Sequence, residues 1–216
     1  MSGLSIDAVA FDFDGTLADT TTAILATVFQ TLQDLDLPPV TREHFLPMIG
    51  LPLKQAFLGA GVDPGAADAC VSRYRERFSD NAGHVALFPA VRECLTDLSA
   101  RGLRLGIVSS RGRKSLLELL DRLQIRAYFG EVLGDEDAER KKPAPDLVLT
   151  LGARMGVSAN RILVVGDTSY DIEMGHAARA HTCAVTYGSH DSHRLRLAQP
   201  THQLDSLSGL GALLAP

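Results

Sequence analysis

The sequence predicts a doubly wound, mostly parallel α/β sheet interrupted by an all-helical insertion. Three short apolar runs rich in β-branched residues, Ile6 to Phe13, Leu103 to Ser110 and Arg161 to Gly166, each end in small polar or acidic residues. Fully buried parallel strands have this composition. Helix-like segments alternate with them at the spacing of βαβ units. From about Asp19 to Ala86, by contrast, helical periodicity runs on without a convincing strand. That stretch is too long for an ordinary connection between a strand and its neighbour.

Taken in order, the first run supplies the opening strand. The insertion follows, with Ile24, Leu25, Val28, Phe29, Leu32 and Leu35 falling on one helical face. Val91 to Ala100 reads as a helix ended by Gly102, and the second strand comes directly after it. Lys114 to Leu123 reads as a helix, Phe129 to Leu133 as a short strand, and Pro145 to Met155 as a helix ended by Gly156. The third run, a helix over Tyr170 to Ala180 and a weaker strand over Thr182 to Thr186 complete the alternation. Residues 16–86 are therefore expected to form a helical module inserted into a core of residues 1–15 and 87–216.

Composition narrows the partners. A formal net charge of -5 with both signs interspersed leaves no basic footprint for nucleic acid. No apolar run approaches the roughly 18 residues of a membrane span, and the N-terminus lacks a basic region followed by an apolar stretch. The three cysteines, Cys70, Cys94 and Cys183, are odd in number and lack C-x-x-C spacing, as buried thiols in a reducing compartment do. A soluble cytoplasmic protein is expected, as a monomer or homodimer.

Ligands of such a sheet bind outside the carboxyl ends of its strands. The residues there are Asp12 and Asp14 after the first run, Ser109 and Ser110 ending the second, and Asp167 after the third, with Asp171 four residues on. Lys142 precedes the helix leading into the Asp167 strand. Clustered carboxylates repel one another and are costly to bury, so one lysine does not balance them. An oxygen-only donor set calls for a hard divalent ion, and Mg²⁺ suits a site that also receives phosphate. Acids, Mg²⁺ and lysine together point to phosphoryl transfer. Asp12 is then the nucleophile, and Asp14, turned toward the leaving group, the acid and base. Gly15 permits a sharp turn close to the phosphate, and Ser109 offers a hydroxyl donor. Lys141 competes with Lys142, and the proline after Lys142 favours the latter. Arg111, Arg113 and Lys114 are expected to be solvated, and the seven histidines show no metal-ligand spacing.

This constellation resembles the haloacid dehalogenase superfamily of phosphatases. Its motifs appear in order as "DFDGTLADT" from Asp12, Ser109 after "RLGIV", Lys142 in "KKPAPD", and Asp167 and Asp171 in "VVGDTSYDIEMG". The resemblance implies a Rossmann-like core with a mobile helical cap. It also implies Mg²⁺ held by Asp12, the main-chain carbonyl of Asp14 and Asp167, with Asp171 supporting the metal or orienting Lys142. The cap position and the "IGLPL" stretch around Gly50 look most like the phosphoglycolate phosphatase group, with Gly50 to Leu53 as the substrate-facing loop. A small phosphorylated metabolite is the implied substrate. Sugar-phosphate mutases of the superfamily commonly carry a histidine where this chain has Ile24, which argues against mutase activity. The same fold also serves pyrophosphatases, and it suits a non-catalytic phosphate-accepting or binding module.

Overall fold

The structure is a computed structural model, and it describes residues 5–214. In chain order the strands are β1 (Ala8–Phe11), β2 (Ala18–Asp19), β3 (Ala86–Leu87), β4 (Arg104–Val108), β5 (Glu131–Leu133), β6 (Ile162–Gly166), β7 (His181–Val185) and β8 (His202–Leu204). The α-helices are α1 (Thr21–Asp34), α2 (Arg42–Phe45), α3 (Leu53–Gly59), α4 (Ala67–Asn81), α5 (Val91–Ala100), α6 (Arg113–Arg122), α7 (Asp146–Met155), α8 (Ser169–Ala177), α9 (Ser192–Leu197) and α10 (Leu210–Leu213).

Six strands form one parallel sheet in the order β5-β4-β1-β6-β7-β8. The chain builds outward from β1 through β4 to β5, then crosses back to build β6, β7 and β8 on the other side. That reversal opens a crevice at the carboxyl ends of β1, β4 and β6. Both faces of the sheet are covered, which is why β1 reads as an unbroken apolar run. Val9 and Phe11 point into one core with Leu105, Ile107, Leu163 and Val165, while Ala8 and Ala10 face a second with Val108, Leu133 and Val164.

Helices α1 to α4 lie between β1 and β4, where the helical insertion is expected. Its core is aromatic: Phe57 stands edge-on to both Phe45 and Tyr74. Contrary to the sequence reading, this stretch is not free of strand. β2 and β3 pair antiparallel where the chain leaves and re-enters the sheet domain, Ala18 opposite Leu87 and Asp19 opposite Ala86. Strands of two residues carry no alternation, so only the pairing reveals them. The edge strand β8 and the short helices α9 and α10 also lie outside the sequence reading, and α8 is shorter than expected, ending at Ala177. The helix ends at Gly102 and Gly156 are as expected, both glycines having positive φ. The three cysteines are buried and free.

Candidate active site

The site is assembled by what happens one or two residues beyond each central strand. After β1 the Asp12 N–H still donates to the Val165 carbonyl at 2.8 Å, which fixes Asp12 beside the end of β6. The chain then turns at Gly15, with φ +82°. A Cβ at Gly15 would fall 2.2 Å from Asp167 Oδ2, so only glycine brings this turn against that acid. Thr16 Oγ1 donates to Asp167 Oδ1 at 2.8 Å, and the Ser189 N–H donates to Oδ2 at 2.6 Å. Thr168 caps α8, and Asp171 answers it by accepting from the Thr168 N–H and hydroxyl through Oδ2.

Lys142, 1% exposed, joins the acids. Its Nζ donates to Asp12 Oδ1 at 2.8 Å and to Asp171 Oδ1 at 2.6 Å. Burial would lower the ammonium's pKa, but the charges of Asp12 and Asp171 more than offset this and hold it above its usual value. The carboxylates move the other way. Burial raises Asp12 well above the ordinary carboxylate range against the pull of Lys142, and burial with the Asp171 charge lifts Asp167 to about 7.

Side-chain oxygens of Asp12, Asp167 and Asp171 lie within 4.8 Å of one another. Three buried carboxylates thus face one ammonium, and Asp12 Oδ2, buried, has no hydrogen-bond partner. Three buried carboxylates beside one ammonium leave a deficit of positive charge that a divalent cation would satisfy, and the all-oxygen donors fit a hard ion. Asp171 has both oxygens committed, to Lys142 and to the α8 cap, so its place is to hold the lysine.

The structure brings the sequence candidates to one edge and sorts them. Ser109 Oγ accepts from the Arg111 N–H at 3.1 Å and keeps its own proton to donate. Ser110 and Gly50 bond to each other, the hydroxyl donating to the Gly50 carbonyl at 2.8 Å, where the helical insertion meets the sheet domain. Lys141 turns away to the carbonyls of Asp135 and Ala138, leaving Lys142 as the site lysine. Asp14 does not point to an open leaving-group position here. Both its oxygens are held by Arg111, at 3.0 Å from Nε and 2.7 Å from Nη2.

Arg111 is the main correction to the sequence reading. Arg113 and Lys114 are exposed as expected, but Arg111 is 7% exposed, with its Cζ 4.0 Å from the centre of the Phe78 ring on α4. Its place at the opening of a helix gives it the look of a solvated residue, and its position directly after Ser109-Ser110 is the signal that points the other way. His190 is likewise buried: its Nδ1 accepts from the Ser169 N–H and its Nε2 donates to the Pro47 carbonyl. Tyr170 and Arg194 donate to the same carbonyl, so Pro47 and Gly50 dock the insertion loop onto the sheet domain.

The parallel α/β core thus carries an acid cluster, a buried lysine and an unpartnered carboxylate oxygen at its switch point, where the ligands of such sheets bind. The chain belongs to the haloacid dehalogenase-like hydrolase family, whose model it matches over residues 9–185. It is similar to a Dickeya dadantii (strain 3937) protein named "Probable phosphatase IndB", 34% identical over 206 residues that cover 93% of this chain and 90% of that one. It is also similar to the phosphoglycolate phosphatase of Escherichia coli (strain K12), 32% identical over 229 residues, covering 95% and 91%. Its fold is that of a solved haloacid dehalogenase-like family hydrolase from Streptococcus pneumoniae, with a TM-score of 0.89, 22% identity and coverage of 98% and 99%. Among the described residues no helix is long and apolar enough to cross a membrane.

Proposed function

We propose that this protein is a Mg²⁺-dependent phosphatase, of the phosphoglycolate phosphatase-like kind, that hydrolyses phosphate monoesters of small metabolites through an aspartyl-phosphate on Asp12. Residues 1–15 and 87–216 are its catalytic core and residues 16–86 its cap. The observation that carries the reading is the asymmetry of Asp12: Lys142 holds Oδ1, while Oδ2 is buried and unpartnered. One oxygen is anchored and the other is left to attack.

Asp12, Asp167 and the main-chain carbonyl of Asp14 would hold the cation. When bound, Mg²⁺ supplies positive charge that screens the phosphate from the acids and makes phosphorus more electrophilic. Asp12 Oδ2 attacks phosphorus and the bond to the leaving oxygen breaks. Ser109 donates its hydroxyl proton to a phosphate oxygen, and Lys142 keeps Asp12 oriented and offsets charge. Asp14 gives a proton to the departing alcohol, then takes one from the water that attacks the phosphoaspartate, releasing phosphate and restoring Asp12. To carry that proton Asp14 must loosen its pairing with Arg111, because protonation removes the charge that holds the fork and sets an O–H donor against an N–H donor. The cap covers the site and keeps bulk water from the first step.

Ile24, 7% exposed, lines the cavity over Asp12 with an alkyl side chain and offers no proton acceptor, which supports a phosphatase over a mutase. Free, buried cysteines support a reducing, cytoplasmic setting, with the protein acting alone or as a homodimer. The test is Mg²⁺-dependent release of inorganic phosphate from a panel of phosphate esters and pyrophosphate, with Asp12→Asn as the blank. Release from one or more esters above the blank is expected, and no release from any ester would overturn the reading.

A further inference from the structure

The chamber over Asp12 is much larger than phosphate and a small acid require. Its volume is about 920 Å³, at the upper end of the roughly 300–1,000 Å³ that receive drug-sized ligands. This volume remains with the Pro47 and Gly50 loop docked on the sheet domain, so it is not the gap left by an undocked loop. Beyond Asp12 and Ser109 its walls include Ile24, Ile49, Leu53, Leu58, Phe78 and Leu119. Leu58 is 37% exposed, one of few large apolar side chains so open to solvent.

Of the six cations that line the chamber, three are paired and three stand in solvent. Arg111 is filled by Asp14, Lys54 pairs with Asp68, and Lys141 is bound to the Asp135 loop. Arg75 and Arg122 are exposed, and Lys114 is almost wholly solvated. A carboxylate next to the phosphate, as in a two-carbon phosphorylated acid, would have to compete with Asp14 for Arg111 and would otherwise meet an apolar wall. An alkyl or aryl body of several carbons would meet complementary surface.

Resting on the phosphatase reading, we infer that the substrate's leaving group is a bulky, predominantly apolar alcohol, well beyond a two-carbon hydroxy acid. The phosphate sits at the acid edge and the alcohol's carbon body lies under α3 and α4. Burying each added methylene is worth roughly a fourfold gain in kcat/KM until the chamber is filled.

The experiment compares kcat/KM of the Mg²⁺-loaded enzyme for n-alkyl phosphates from ethyl to octyl, below their micelle concentrations, with 2-phosphoglycolate and 1-naphthyl phosphate. The expected result is a rise of about fourfold per methylene over at least the first few additions, with octyl and naphthyl phosphate exceeding phosphoglycolate by more than about tenfold. A flat or falling series, or phosphoglycolate matching the octyl ester, overturns the inference while leaving the phosphatase intact. Absence of release from every ester overturns both. In Val71→Trp, which fills the chamber from α4, the octyl-to-ethyl ratio should drop about tenfold or more. An unchanged ratio would show that the chamber does not receive the leaving group.

Discussion

Arg111 closes its guanidinium on both oxygens of Asp14 while the Phe78 ring lies against its flat face, so one side chain ties the acid of the core to helix α4. Tyr74 on the same helix borders the guanidinium, and its hydroxyl is pushed up in pKa by burial. A pair this buried is strongly coupled, since removing either partner leaves an uncompensated charge. In a double-mutant cycle of Arg111→Ala and Asp14→Ala, urea unfolding should give a coupling energy of about 1–3 kcal/mol. Simple additivity of the two losses would show that the pair does not hold the structure together.

The proposed role of Asp14 has a leaving-group signature. Asp14→Asn should reduce turnover of an alkyl phosphate by about 10²–10⁴, the usual range for a lost general acid. p-Nitrophenyl phosphate, whose leaving oxygen needs little protonation, should suffer much less. Steady-state rates on the two esters decide this, and equal losses would remove Asp14 as the acid.

Lys142 answers two carboxylates from a buried position. Lys142→Met should abolish measurable turnover. In EDTA it should also destabilise the fold by about 3–5 kcal/mol, the range for breaking a buried ion pair from one side. Mg²⁺ should recover part of the stability without recovering the activity. A stable, active Lys142→Met protein would contradict the arrangement.

Cation binding has a pH dependence whose sign follows from Asp167. In the cation-free fold burial and Asp171 lift this acid from 3.8 to about 7, so the folded state keeps a proton that the unfolded chain releases. The contribution of Asp167 to stability is therefore lost as pH rises from about 4 to about 7. A bound divalent ion keeps the carboxylate ionised and removes the loss. The difference in Tm between Mg²⁺ and EDTA should accordingly be small near about pH 5 and widen by several degrees by about pH 7.5. A difference independent of pH would mean that the ion does not neutralise these acids.

The parts of this protein that can be read from the sequence are those that repeat or end sharply. Each central strand is an apolar run stopped by Asp12, Ser109 or Asp167, and the rule that ligands gather at carboxyl ends brings these residues together from the sequence alone. Lys142 follows because it stands in the loop entering that edge. Contacts between distant segments are not legible. Arg111 has the local pattern of a solvated helix start, and only the fold places Phe78, in another module, against its face. The convergence of Tyr170, His190 and Arg194 on the Pro47 carbonyl is hidden for the same reason, since a backbone acceptor leaves no mark in sequence. β2 and β3 are too short to show periodicity at all.

The central claim is that Asp12 carries the phosphoryl group, and acid-quenched turnover of a ³²P-labelled ester followed by peptide mapping tests it most directly. Acid-stable, base-labile label should appear on the peptide containing Asp12 in the wild-type protein and be absent from Asp12→Asn. Phosphate release without any label on that peptide, or label retained in Asp12→Asn, would contradict it.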